Sequence, residues 1–298
     1  MLNRHPAFAL CDETYFFYYV HGRRRAFGDL GVPQRRQLAV DRYLATNRIQ
    51  RLGLDLSMLR ERLLRDGTSY DALFASLLLF YAESHGSTRP GEKTPHHAWH
   101  TATLLDWYAD AKVLHLVRDP RDVVASLLRM PWGRRSVLAN ARLWVSLTQA
   151  AERCSTHPRW LRLRYEELIR DPEQTLIRAC AFLDEEYEQG MLEPDPSATT
   201  DKPWFERAYQ RVARDRVGLW EAELSARQVQ LVEWLAGSTM KPLGYAPAGV
   251  RPGVPTRAAA IVHELAEGMT VRLRRAPHAW YYWLRPTELA AEEEWLDR

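Results

Sequence analysis

Between Tyr15 and Asp110 the apolar positions recur at helical spacing, and capping residues mark the individual helices. Asp55 or Ser57 is placed to cap Leu56–Arg65, which runs to Gly67, and Ser69 to cap Tyr70–His85, which runs to Gly86. Thr94 and Pro95 mark a further helix start, with the proline at the first helical position, where its missing N–H costs no hydrogen bond. The pattern then changes. Lys112–Arg118 is a short, β-branched run, and Asp119-Pro120-Arg121-Asp122 opens a helix that continues through Val123-Val124-Ala125-Ser126-Leu127. A strand, a tight turn and a helix N-terminus form the half-unit from which parallel α/β sheets are built. A helix over Ser136–Ser155, a second strand over Trp160–Tyr165, a helix over Pro172–Leu183 and a late helix from Ser225 through Trp234, ending at Gly237, follow. Phe8–Cys11 has the length and character of a third, very short strand.

Pro247–Pro255 carries three prolines and two glycines in nine residues and reads as a linker. Beyond it, Ile261, Val262, Leu265, Met269 and Leu273 stand near helical spacing, and Trp280-Tyr-Tyr-Trp283 follows. The expected organisation is a domain over 1–246, a linker over 247–257 and a helical appendage over 258–298 docked on that domain. The other use of its aromatic end is a partner or membrane-surface contact.

Composition excludes several classes. The 298 residues are 46% apolar and 27% charged, ordinary for a globular protein and unlike a disordered or collagenous one. The longest apolar stretch, Ala72–Ala82, is interrupted by Ser76 and is far short of the ~20 residues a membrane span needs. Asp12 and Glu13 leave no room for a hydrophobic signal core, so a cytoplasmic protein is expected. Of 41 basic residues only four are lysines, and they and the arginines are intermixed with acids. The net charge of +3 therefore has no stripe for a nucleic-acid backbone, and no nucleic acid is expected as partner. Cys11, Cys154 and Cys180 are odd in number and widely spaced, as buried thiols in a reducing compartment would be. His96, His97 and His100 lack the glutamate of a zinc-protease helix and any evident third ligand, so no metal is expected.

The chemistry concentrates where Arg118 ends a strand and Ser126 follows eight positions later, about two helical turns on. A helix N-terminus at a strand's carboxyl end attracts anions through its free amides and dipole, and Arg118 adds a planar cationic fork for phosphate oxygens. The competing use of these residues is local: Arg118 paired with Asp119 or Asp122, and Asp119 capping the helix.

Leu116-Val-Arg-Asp-Pro-Arg-Asp-Val-Val-Ala-Ser126 resembles the 3′-phosphate-binding segment of sulfotransferases that use 3′-phosphoadenosine 5′-phosphosulfate (PAPS). Three more segments agree in order. Glu92-Lys-Thr-Pro95 resembles the Lys-Thr-Pro turn of glycan sulfotransferases. Arg164-Tyr-Glu-Glu-Leu168 with Asp171-Pro172 is similar to the segment whose tyrosine lies near the adenine, and Val217-Gly-Leu-Trp220 with Leu243-Gly-Tyr245 is similar to the closing pattern. The resemblance covers roughly residues 3–245 and looks closest to the tyrosylprotein and bacterial glycan-type branch. It implies an α/β, P-loop-like three-layer fold with a short central parallel sheet flanked by helices. It also implies PAPS as co-substrate without a metal, and Arg118 and Ser126 as holders of the donor's 3′-phosphate. Tyr165 would stand at the adenine, and one of Arg211, Arg214 and Arg216, with Arg216 nearest the closing segment, would cover the donor phosphates. Met1–Pro6 and Asp12–Phe16 resemble the end of the family's N-terminal passage, so its first strand and its 5′-phosphosulfate loop are missing from this sequence. A misplaced start is expected, with a genuinely shortened variant as the alternative.

Sulfuryl transfer needs an acceptor hydroxyl made nucleophilic and charge compensation on the leaving oxygens. Glu13 matches the family's catalytic glutamate and is the candidate general base, with Tyr15, Phe16 and Phe17 as candidate apolar surroundings; its local alternative is a helix-capping acid. Lys93 is the candidate for neutralising charge at the sulfuryl group, against a solvated turn lysine, and one of the neighbouring histidines could meet the acceptor. Trp132 and Trp144 read as core or pocket-wall aromatics. The resulting expectation is transfer of a sulfuryl group to a hydroxyl of a glycan, peptide or metabolite. The alternative is a non-catalytic nucleotide-binding or interaction relative. A kinase-like phosphotransferase is disfavoured because no Gly-x-x-x-x-Gly-Lys-Ser/Thr occurs.

Overall fold

Two parallel strand pairs organise the chain. The computed structural model describes residues 1–131, 133–193, 217–284 and 287, with the backbone alone over 271–284. It divides into two units, Met1–His97 with Arg275–Arg298, and Ala98–Arg274.

In the first unit β1 (Phe8–Cys11) pairs in parallel with β2 (Arg89–Glu92), in a register that sets Cys11 beside Glu92. The expected strand at Phe8 forms. Its partner was not anticipated, because Arg-Pro-Gly-Glu has neither alternation nor β-branching. Its selection is tertiary: a side chain at Gly91 would stand 2.8 Å from Leu10 Cγ, so the missing Cβ allows the close approach. The helices α1 (Pro33–Leu44), α2 (Leu56–Asp66) and α3 (Tyr70–Ser84) follow the sequence pattern. Asp55, not Ser57, caps α2 by accepting from the Ser57 and Met58 amides, and Ser69 caps α3. Phe16 stacks on Phe74 at 4.6 Å and, with Phe17, Tyr43, Leu63 and Leu77, fills the core. Pro95 opens a 3₁₀ turn (Pro95–His100) in place of the expected α-helix, its first bond running from His97 N–H to Thr94 O.

In the second unit β3 (Val113–Val117) pairs in parallel with β4 (Trp160–Arg164). Among the described residues β4 is the sole ladder partner of β3, and Leu116 is 50% exposed. After α4 (Thr101–Trp107) come α5 (Pro120–Arg129), α6 (Val137–Glu152), α7 (Tyr165–Arg170), α8 (Pro172–Phe182) and α9 (Ala226–Met240). Their common core holds Val117, Val124, Ala141, Trp144, Val232, Ala236 and Met240. The α9 helix starts at a Ser225–Gln228 capping box but runs through Gly237, its expected end. Burial of Ala236 and Met240 outweighs the cost of about 1 kcal/mol for a mid-helix glycine.

Helix α10 (Val254–Leu284) begins after an irregular stretch, and its contacts with the second unit differ from those expected. Val262, Leu265 and Met269 are 65%, 66% and 61% exposed. The helix is held by acids instead: Glu267 accepts from the Arg135 and Ser136 amides at the start of α6, and Glu264 pairs with Arg142 at 3.0 Å. A carboxylate suits a helix N-terminus, where unpaired amides concentrate positive charge. The Trp280–Trp283 side chains lie outside the described residues. No described helix is long and apolar enough to cross a membrane. Cys11 and Cys180 are buried, Cys154 is partly buried, and all three are free thiols.

Candidate functional site

Within the second unit the turn after β3 is held from both sides. Trp144 Nε1 donates to the Arg118 carbonyl at 3.0 Å, and the Asp119 amide donates to Glu166 Oε1 at 2.9 Å. Glu166 is buried on α7 and also accepts from the Tyr245 hydroxyl at 2.8 Å. The strand end, the residue after Tyr165 and the closing Leu-Gly-Tyr segment thus meet at one carboxylate.

This fixed backbone aims the Arg118 side chain, which is 20% exposed. Its guanidinium lies over the Tyr165 ring at 4.5 Å, and Nη2 stands 3.6 Å from Asp122 Oδ2. That separation is longer than a hydrogen bond. Asp122 itself is buried and holds the closing segment, accepting from Gly218 N–H at 2.9 Å and Trp220 N–H at 3.0 Å. Ser126, half-buried, follows Asp122 by four positions on α5 and so shares its face one turn on.

Both local uses of these residues are partly realised. Asp119 caps α5 by accepting from the Arg121 amide, and its carboxylate pairs with the Arg121 guanidinium at 2.7 Å. Arg121 also reaches Glu233 at 2.9 Å and covers the Trp220 ring at 4.1 Å. The Asp119-Pro120-Arg121 turn is therefore structural, and the helix end is capped by protein. An anion here would be met by the Arg118 and Ser126 side chains rather than by the first amides of α5.

In the first unit Glu13 Oε1 accepts from Lys93 Nζ at 2.7 Å, and Arg48 lies 3.8 Å from Oε2. Arg48 also covers the Tyr15 ring at 4.5 Å, and the His96 ring lies 5.7 Å from the same tyrosine. Burial pushes the His96 imidazole below its ordinary pKa, so it is neutral at pH 7. The surroundings of Glu13 are thus cationic rather than the expected apolar cluster, since Phe16 and Phe17 turn into the core. Nor does Glu13 cap the helical turn that follows, whose N-cap position is Tyr15. Tyr15 adopts φ 49°, ψ 32°, a left-handed conformation unusual for an aromatic residue.

The structure brings Arg118 to Tyr165 and Glu13 to Lys93, and sets Ser126 on the face of Asp122. Arg211, Arg214, Arg216 and Trp132 lie outside the described residues. Glu92, Asp122 and Glu166 were missed as site components. All three stand within motifs already singled out, but nothing in a sequence pattern distinguishes a buried, multiply bonded acid from a solvated one.

Two short parallel strand pairs flanked by helices are the elements of a P-loop-like α/β fold. A family model described as "Sulfotransferase family" matches residues 1–189, which include Glu13, Lys93, Arg118, Ser126 and Tyr165. The chain belongs to the sulfotransferase family. Two relatives from Caenorhabditis briggsae and Caenorhabditis elegans carry the name "Putative protein-tyrosine sulfotransferase". They are 26% identical over 41% of this chain and 25% identical over 54% of it. The matches span 47% and 60% of those relatives' own lengths. The fold is similar to the sulfotransferase domain of the curacin biosynthetic pathway, with a TM-score of 0.51 and 17% identity over 80% of this chain and 90% of that one. It is equally similar to the sulfotransferase domain of the Synechococcus PCC 7002 olefin synthase, with a TM-score of 0.52 and 20% identity over 79% and 87%.

Proposed function

We propose that this sulfotransferase takes its sulfuryl group from PAPS and delivers it to an acceptor hydroxyl. The observation that supports this most is the Arg118 constellation: a guanidinium at the end of β3, over the Tyr165 ring and 3.6 Å from Asp122, which precedes Ser126 by one helical turn. Arg118 would ion-pair with the 3′-phosphate, exchanging its loose contact with Asp122 for a charge-assisted fork. Ser126 would donate its hydroxyl to the same group, and Tyr165 would offer a ring edge to the adenine. Asp122 stays satisfied throughout, because the Gly218 and Trp220 amides occupy it.

PAPS would supply a sulfuryl group on a phosphate leaving group, and the roles proposed for Glu13 and Lys93 concern the acceptor and the developing charge. Glu13 would take the acceptor's proton at a carboxylate oxygen, and Lys93, already bonded to it, would shift its ammonium toward the leaving oxygens. A compact ammonium on a flexible stem follows moving charge more readily than a planar guanidinium. The acceptor is a hydroxyl of a glycan, peptide or metabolite, and the names of the two relatives make a tyrosine phenol the first to try. The three free thiols fit a reducing compartment such as the cytoplasm.

The test is transfer of labelled sulfate from PAPS to a panel of tyrosine peptides, glycans and phenols, by this chain and by a form extended upstream. Transfer that Glu13→Gln abolishes supports the assignment. Binding of adenosine 3′,5′-bisphosphate with no transfer by either form would overturn the catalytic reading in favour of a nucleotide-binding relative.

A further inference from the structure

Glu92 ends β2 and its side chain is only 5% exposed, yet it is bonded on every side. Oε1 accepts from the Thr14 amide at 2.9 Å, from the Thr14 hydroxyl at 2.9 Å and from the Thr94 hydroxyl. Oε2 lies 2.9 Å from His97 Nδ1. Thr14 follows Glu13 and Thr94 follows Lys93, so one buried carboxylate ties together the neighbours of both groups, 80 residues apart in sequence. The Tyr43 hydroxyl completes the clamp by donating to the Thr14 carbonyl at 3.1 Å.

An ionised carboxylate is acceptor-only and accommodates this many donors; a protonated one does not. Burial, the largest single influence, pushes the Glu92 carboxyl up. The His97 contact and the Thr94 and Thr14 bonds outweigh it and hold the group below the ordinary glutamate range. A buried charge on that scale needs all its partners, so the loops carrying Glu13 and Lys93 share one geometry. Local strain agrees: Tyr15 is left-handed directly after the clamped threonine.

We propose that Glu92 is a positioning residue, which sets the distance between Glu13 and Lys93 through Thr14 and Thr94. Its effect on transfer rests on the roles assigned above to Glu13 and Lys93; its effect on the Glu13–Lys93 pair does not. Glu92→Gln keeps the volume but replaces one acceptor with a donor facing His97 Nδ1. Thr14→Val removes one bond from the clamp and leaves the backbone contact, and Thr14→Ser restores the hydroxyl.

Two readouts test this, each after circular dichroism shows the variant folded. The first is acetylation of the lysines by limiting acetic anhydride, followed by mass spectrometry with exposed Lys241 as internal reference. A loosened pair should raise the Lys93 rate about two- to fivefold in Glu92→Gln and Thr14→Val, and not in Thr14→Ser. The second is the pH profile of transfer. In Glu92→Gln kcat should fall about 10- to 100-fold with KM for PAPS nearly unchanged, and the acid limb should move. Lys93 labelling equal to wild type in both Glu92→Gln and Thr14→Val overturns the proposal, whatever the activity. No transfer by either this chain or the form extended upstream, both folded, refutes the catalytic reading, and the labelling result still decides the role of Glu92.

Discussion

Replacing Arg118 with alanine removes the proposed anchor for the 3′-phosphate and leaves the bonds that hold its turn in place. Asp122 keeps its two backbone donors, the turn keeps its Trp144 and Glu166 bonds, and Tyr165 loses only the cation over its ring. Each hydrogen bond to a charged group contributes about 1.5–3 kcal/mol, and a guanidinium offers a phosphate two. With the side chain 20% exposed, water reclaims part of that contribution. A net loss of about 2–4 kcal/mol is expected for truncating one partner of a charged pair, a rise in Kd of about 30- to 800-fold. Isothermal titration with adenosine 3′,5′-bisphosphate at low ionic strength measures it, and adenosine 5′-monophosphate, which lacks the 3′-phosphate, supplies the control. Wild type should prefer the bisphosphate by about the factor that Arg118→Ala loses, and the variant should bind both nucleotides nearly alike. An unchanged Kd, or an equal loss for both nucleotides, would refute the assignment of Arg118 to the 3′-phosphate.

Three further outcomes follow from the same geometry. Ser126→Ala should weaken the bisphosphate by about 1.5–3 kcal/mol, about 10- to 150-fold in the same titration, and leave the monophosphate unaffected. Tyr245→Phe removes the hydroxyl that Glu166 accepts and should lower stability by about 1–2 kcal/mol in urea unfolding, with Phe packing otherwise preserved. Glu92, held below its ordinary pKa of 4.5, contributes stability that is fully present above that pH and is lost as pH falls through the folded value. Unfolding free energies measured between neutral and strongly acid pH should therefore drop less steeply in Glu92→Gln than in wild type.

The local elements were legible because their signals are local. Asp55, Ser69, Ser136 and Ser225 cap the helices they precede, and the β-branched run before Arg118 is β3. The strand that ends before Arg118 and the helix that carries Ser126 were legible for the same reason, since β-branching and the Asp119-Pro120 cap mark them within a few residues. What escaped depended on pairs distant in sequence. β2 exists because Gly91 lets Leu10 approach, the α9 helix passes Gly237 because Ala236 and Met240 are buried, and α10 docks through Glu264 and Glu267 rather than its apolar stripe.

The sequence by itself determined which segments coil, which extend and which residue types stand at the strand ends, since backbone sterics and capping act over a few residues. Only the tertiary structure decided which acids are sealed from water. It set Glu92 against Thr14, Asp122 against Gly218 and Glu166 against Tyr245, because the cost of burying a charge is met by partners that the chain brings from dozens of residues away.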